Sequence, residues 1–140
     1  MRNPSSPVQE SATAASSLSL VSDSDQAFTL RVTLARLATR TLDLQYYIWD
    51  DDTTGKLLIY RVLEAARRGV KVRMLLDHAN QLGRDVKWAV LDAHPNIDVR
   101  LFNPFRGRFK HFLQWLYHAP LLNHRMHNKA WIADGEHALV

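Results

Sequence analysis

Three side chains in "RMHNKAWIAD", Arg125 to Asp134, are of a type and spacing that could act on a phosphodiester. His127 and Lys129 stand two residues apart in a segment that otherwise reads as an apolar strand. On a strand, residues i and i+2 point the same way, so these two are expected to share a face, with Asn128 and Ala130 on the other. An imidazole so placed can attack phosphorus, and the ammonium beside it can hold the non-bridging oxygens as negative charge builds. Asp134, five residues after the lysine, is expected to orient or neutralise a nearby cation. Three such letters also fit an ordinary structural strand, and the surrounding elements have to decide between the readings.

Those elements follow an α/β pattern. "AFTLRVTLARLATR" carries Leu30, Leu34, Leu37 and Ala38 at helical spacing. "TLDLQYYIW" reads as a strand with Leu42, Leu44, Tyr46 and Ile48 on one side. "DDDTTG" offers several N-caps for the helix "KLLIYRVLEAARRG", whose Leu58, Val62, Ala65 and Ala66 form a stripe. Gly69 suits the end of that helix, and Arg67 and Arg68 suit its dipole. "VKVRMLLDH" is a second strand, with Val70, Val72, Met74 and Leu76 on one face; "DVKWAVLDAH" is a shorter helix and "IDVRLFN" a third strand. Strands alternating with helices predict a parallel sheet covered by helices. After a long excursion over residues 103–123, "KAWIA" and "HALV" flank Asp134-Gly135-Glu136, a hairpin signal.

In this context "RMHNKAWIADG" resembles the H-x-K-(x)4-D motif of the phospholipase D superfamily. "LDLQYYIWDDDTTGKLL", "AARRGVKVRMLLD", "DVRLFNPF" and "RMHNKAWIADGEHALV" extend the resemblance, over roughly residues 28–140, to the first half of bacterial cardiolipin synthases. The resemblance implies an α/β fold with a mixed sheet packed between helices. It makes His127 the residue that attacks phosphorus or protonates the leaving alcohol, through a phosphohistidine intermediate in the first case. Lys129 becomes the phosphate-binding lysine, and Asp134 a catalytic-motif residue whose role is partly structural. It implies no metal and no other cofactor. The substrate would be a phosphatidylglycerol-like phospholipid, its phosphatidyl group passing to a lipid hydroxyl or to water, at the inner face of a bacterial membrane.

The family builds its site from two such motifs, and its motif continues after a six-residue spacer with a glycine, a small residue and an asparagine. Here the sequence supplies the spacer, Gly135 to Val140, and one motif. The expectation is therefore a first-motif portion, inactive or nearly so alone, that needs a second-motif half or a second protomer. The stop at Val140 reads as a break rather than a domain boundary, leaving "HALV" as an unsupported edge. Other function classes fit the same residues. One is a single-motif phosphodiesterase or nuclease that assembles its site across a dimer. Another is a non-catalytic module that binds anionic membranes.

Composition supports one domain with a real core: 140 residues, 46% hydrophobic, 18 Lys+Arg against 14 Asp+Glu. The absence of cysteine excludes disulfides and thiolate metal sites. No apolar run reaches the roughly 18–20 residues of a membrane-spanning helix. Residues 1–25, rich in Ser and Ala, read as a flexible leader, and 26–140 as the partial domain. No acidic residue occurs between Val99 and Ala133, while Arg106, Arg108, Lys110 and Arg125 alternate with or flank Phe105, Phe109, Phe112, Trp115 and Tyr117. A basic, aromatic segment can lie at a bilayer interface or pack on the sheet. Single-stranded nucleic acid ranks lower as its partner. His124, His127 and His137 do not space as a metal site on a strand, and Lys129 would repel a cation. Asp50, Asp51 and Asp52 read as caps and turn residues, Asp77 and His78 as candidates for the pocket edge, and Trp88 and Trp131 as packing residues.

Overall fold

The computed structural model describes residues 16–78, 85–103 and 126–140. The chain runs α1 (Ser24–Leu37), β1 (Thr41–Tyr46), α2 (Thr53–Arg67), β2 (Lys71–Asp77), α3 (Asp85–Asp92), β3 (Ile97–Phe102), β4 (Lys129–Ala133) and β5 (His137–Leu139). One five-stranded sheet has the order β3-β2-β1-β4-β5. β1, β2 and β3 are parallel, as strands joined through helices must be when they lie side by side. β4 returns antiparallel beside β1, and β5 folds back on β4. The expected α/β class and mixed sheet are present.

β1 and most of β2 alternate between a buried and a more exposed face. Leu42 and Leu44 of β1, Val72, Met74 and Leu76 of β2, Ile97 of β3, and Trp131 and Ala133 of β4 form one core with Ala35, Leu58, Val62, Ala65, Ala66, Trp88 and Leu91 of the helices. On the other face Asp43 pairs with Arg73, and Asp98 with Arg100 at 3.0 Å. Among the described residues the helical members of the core lie on this face, while the opposite face mixes Asp43, Arg73, Asp98 and Arg100 with Leu75 and Ile132.

Side chains cap α1 and α2, the second from the aspartate run that the sequence offered, with one exchange of partners. Asp23 accepts the Gln26 N–H at the start of α1, and Asp52 accepts the Gly55 N–H at the start of α2. Arg68, beyond the end of α2, donates to the carbonyls of Ala35 (2.7 Å) and Arg36 (3.2 Å), so it closes the neighbouring helix α1. Any side chain at Gly55 would run into the carbonyl oxygen of Asp50, so this turn needs glycine.

Two expected stripes shift. Of the positions expected to be buried in and just after α1, Ala38 is buried, Leu34 packs partly against the core and Leu30 is half-buried, but Leu37 is 65% exposed and Ala35, with Phe28 and Val32, joins the core instead. Small Ala35 permits close approach to α2, which turns Leu37 outward. β1 ends at Tyr46 rather than continuing to Trp49, so Ile48 faces solvent and Trp49 is buried. The Trp49 indole N–H donates to the Gly55 carbonyl at 3.3 Å, and its ring meets Tyr46, Trp88 and Trp131. Of the expected leader, residues 1–15 lie outside the described residues, and α1 begins at Ser24.

Leu44→Ala, at the centre of the core, is expected to lower unfolding stability by about 2–5 kcal/mol in urea titrations. Leu57→Ala, on the half-exposed side of α2, should cost under about 1 kcal/mol. Equal losses would show that the assigned core face is wrong.

Candidate active site

β4 forms the middle of the motif. Lys129 is its first residue and Asp134 directly follows its last. Because β4 is antiparallel to β1, Lys129 lies opposite Tyr46, at the end toward which the parallel strands run. Open α/β sheets bind their ligands at that edge. His127 lies just outside the ladder, in a stretch without regular structure, so the same-face rule governs Lys129, Trp131 and Ala133 rather than His127 itself. Both His127 and Lys129 are exposed. Asn128 turns to the charged face, where its amide donates to Gln45 at 3.4 Å.

Asp134 is separated from the other two. It sits across the length of β4, about 17 Å from Lys129 at ordinary strand rise. Its carboxylate accepts the backbone N–H groups of Thr39 (3.0 Å), Arg40 (2.7 Å) and Thr41 (2.8 Å), and the Thr39 hydroxyl (2.9 Å). Its own N–H donates to the Thr41 carbonyl at 2.9 Å. Asp134 and Gly135 both have positive φ, 57° and 74°, and Glu136 N–H closes the turn on Ala133. Asp and Gly are the residues that tolerate such a turn. The amides of Thr41, Thr39 and Arg40, in that order, hold the Asp134 carboxyl far below the usual carboxylate range. The expected partner of a cation is instead a latch on backbone donors. The nearby Arg40–Glu136 pair is widely exposed and contributes little.

Residues outside the motif support its chemical end. Buried Asp77, at the end of β2, accepts the Met126 N–H at 3.2 Å, one residue before His127. The ring of Tyr47 lies against the His127 imidazole, with centroids 4.4 Å apart and planes tilted by 32°. Beneath Lys129, the Trp131 indole donates to the Tyr46 hydroxyl at 2.7 Å. Burial pushes the Tyr46 phenol above its ordinary value, despite the opposing pull of nearby Arg31 and of the Trp131 hydrogen bond. Tyr46 and Tyr47 were legible in the sequence only as strand aromatics, since no spacing links them to a histidine 80 residues later.

The remaining candidates divide. Asp52 is a cap and Asp51 pairs with Lys87 at 2.8 Å. Trp88 and Trp131 pack in the core. His137 pairs with Ala133 at the latch end of the hairpin, away from His127. Arg106, Arg108, Lys110, Trp115, His124 and Arg125 lie outside the described residues. The chemical end thus presents an exposed imidazole and an exposed ammonium at a sheet edge, a pairing suited to nucleophilic attack on an anionic ester.

Comparison with known proteins gives concordant results. A family model described as the cardiolipin synthase, PLD-like domain matches residues 32–140. Cardiolipin synthase C of Escherichia coli is 51% identical over 114 residues, which cover 81% of this chain and 24% of the relative. An uncharacterised Helicobacter pylori protein is 37% identical over 118 residues, 82% of this chain and 23% of the relative. The chain thus spans about a quarter of the length of these curated relatives. The structure of NucT from Helicobacter pylori matches 79% of this chain and 61% of its own, with TM-score 0.55 and 18% identity, a likeness of fold.

The latch has a pH signature. The folded-state pKa of Asp134 is depressed, so its contribution is complete above the unfolded carboxylate value of about 4 and fades as pH falls toward the folded value. Asp134→Asn should lower the thermal midpoint at pH 7 by several degrees. The deficit relative to wild type should stay constant down to about pH 5 and shrink below about pH 4. A deficit that persists unchanged to pH 2 would remove the carboxylate from the account.

Proposed function

The chain belongs to the phospholipase D superfamily, in its cardiolipin synthase-type branch, and from there we propose that it is the first-motif portion of a phosphatidyltransferase acting on phospholipid phosphodiesters. The observation that carries the reading is the exposed His127–Lys129 pair at the end of the parallel strands, beside Tyr46 and above buried Asp77. Identity of 51% to a cardiolipin synthase supports the same assignment.

In this proposal an imidazole nitrogen of His127 attacks the donor phosphorus. A P–N bond forms, the P–O bond to the leaving alcohol breaks, and that alcohol takes a proton from the histidine of a second motif. The acceptor hydroxyl then attacks the phosphohistidine. Its proton passes to the second histidine, a new P–O bond forms, and His127 is released. Lys129 holds the non-bridging oxygens through both steps, where charge accumulates most. Asp134 acts at a distance, by holding β4 in place. The residues present need no metal for these roles.

The sequence contains one H-x-K triplet, so the leaving-group acid comes from another stretch of chain or from a second protomer. Arg106, Arg108, Lys110, Trp115 and Arg125 are proposed to meet an anionic lipid surface, with a phosphatidylglycerol-like donor and peripheral attachment at the inner face of a bacterial membrane. No helix among the described residues is long and apolar enough to cross a membrane.

The test combines the chain with a second-motif half and follows phosphatidyl transfer from phosphatidylglycerol vesicles to an alcohol acceptor. Transfer should fall at least about 100-fold when the second half is omitted. His127→Ala should cost about 10³-fold or more and abolish the phosphatidyl-histidine adduct seen by mass spectrometry. Lys129→Ala should cost about 10²- to 10³-fold. Full transfer by His127→Ala would overturn the assignment. Cleavage of DNA without lipid transfer would favour a nuclease instead.

A further inference from the structure

We infer that Tyr47 is a positioning residue for His127, holding the imidazole so that its in-plane nitrogens face the reacting phosphate. The inference deepens the proposed function, since it takes His127 as the nucleophile. His127 is exposed and lies outside the β4 ladder, so the sheet does not fix its side chain. A free imidazole there would sample several staggered rotamers. The Tyr47 ring, 4.4 Å away and tilted by 32°, covers one face of the imidazole. The lone pair of an imidazole nitrogen lies in the ring plane, so a face contact restricts rotation and leaves the reacting edge open.

Both partners in the contact are themselves anchored. Tyr47 directly follows Tyr46, which is held in the ladder opposite Lys129 and through its hydroxyl to the Trp131 indole. On the other side, the Met126 N–H is bound to buried Asp77. The ring pair is therefore the point where the ends of β1 and β2 together define the direction of the imidazole. A phenol face also favours a ring that carries positive charge, as the imidazole does when protonated or attached to phosphorus. Nothing in this arrangement requires the Tyr47 hydroxyl, so phenylalanine should serve as well.

The experiment has two readouts. In proton NMR of the 140-residue chain, the His127 ring protons should resonate upfield of those of exposed His137, through the ring current of Tyr47. Tyr47→Leu should move them downfield toward His137, and Tyr47→Phe should leave them in place. In the assembly with a second-motif half, Tyr47→Leu should lower kcat about 10- to 100-fold with KM nearly unchanged, as expected when a reacting group loses its alignment. Tyr47→Phe should stay within about threefold of wild type, since alignment is kept. Circular dichroism and the unchanged His137 signals establish that the variants fold. Identical His127 shifts in wild type and Tyr47→Leu would overturn the inference, and so would unchanged kcat in Tyr47→Leu. The NMR comparison needs no turnover. An intact ring contact in a preparation that transfers no phosphatidyl group with any variant would instead count against the proposed function.

Discussion

The structure depends on one carboxylate held by backbone donors. Asp134 gathers the amides of Thr39, Arg40 and Thr41 at the point where α1 gives way to β1. These are donors that the start of a strand otherwise leaves to solvent. A carboxylate satisfies several of them at once and keeps its charge in doing so, which is why its proton affinity falls so far. The contact joins segments more than 90 residues apart in sequence. It fixes which residue of β4 faces which residue of β1, and in a sheet a slip of one residue would turn every side chain to the opposite face. Trp131 enters the core and Lys129 reaches the reactive edge because Asp134 is fastened at the other end.

The reactive edge draws on several elements. β1 supplies Tyr46 and, just past its end, Tyr47; β2 supplies Asp77; β4 supplies Lys129, and the stretch before it His127. Each contributes from an end near the others, as parallel strands running to one edge allow. The groups that meet substrate stay exposed, while Tyr46, Asp77 and Trp131, which support them, are partly or wholly buried. Rigid, packed support beneath an accessible surface is the arrangement that group transfer requires, because alignment has to survive the arrival and departure of substrate.

Much of this was legible from hydrophobic periodicity. The face Val70, Val72, Met74 and Leu76, the stripe Leu58, Val62, Ala65 and Ala66, and the Asp-Gly turn all appear where the pattern places them. In α1 the pattern placed Leu34 and Ala38 correctly but took Leu37 for a buried residue and overlooked Ala35, whose small size is what brings two helices together. It carried β1 too far because Trp49 is buried by packing after the strand has ended. At the site, His127 and Lys129 announce themselves by chemical type. Asp77 showed in the sequence only as a candidate for the pocket edge at a strand end, and Tyr47 not as a site candidate at all, since their roles arise from strand order, and strand order places β4 beside β1 rather than beside β3. The partners of Asp134 were hidden for the same reason: they lie more than 90 residues earlier in the chain.

That the interval from the motif's lysine to its aspartate spans one whole strand has a consequence for how such sequences can change. The stretch from Lys129 to Asp134 acts as a ruler, with chemistry at one mark and an anchor at the other. Substitutions among Ala130, Trp131, Ile132 and Ala133 alter packing and can be offset by neighbours. An inserted or deleted residue cannot be offset in that way, because it shifts either the anchor or the lysine by one step and to the wrong side of the sheet. The geometry of this segment therefore depends on its length more strictly than on its letters. The four unspecified positions of the motif are constrained in number, and Trp131 and Ala133 also in packing.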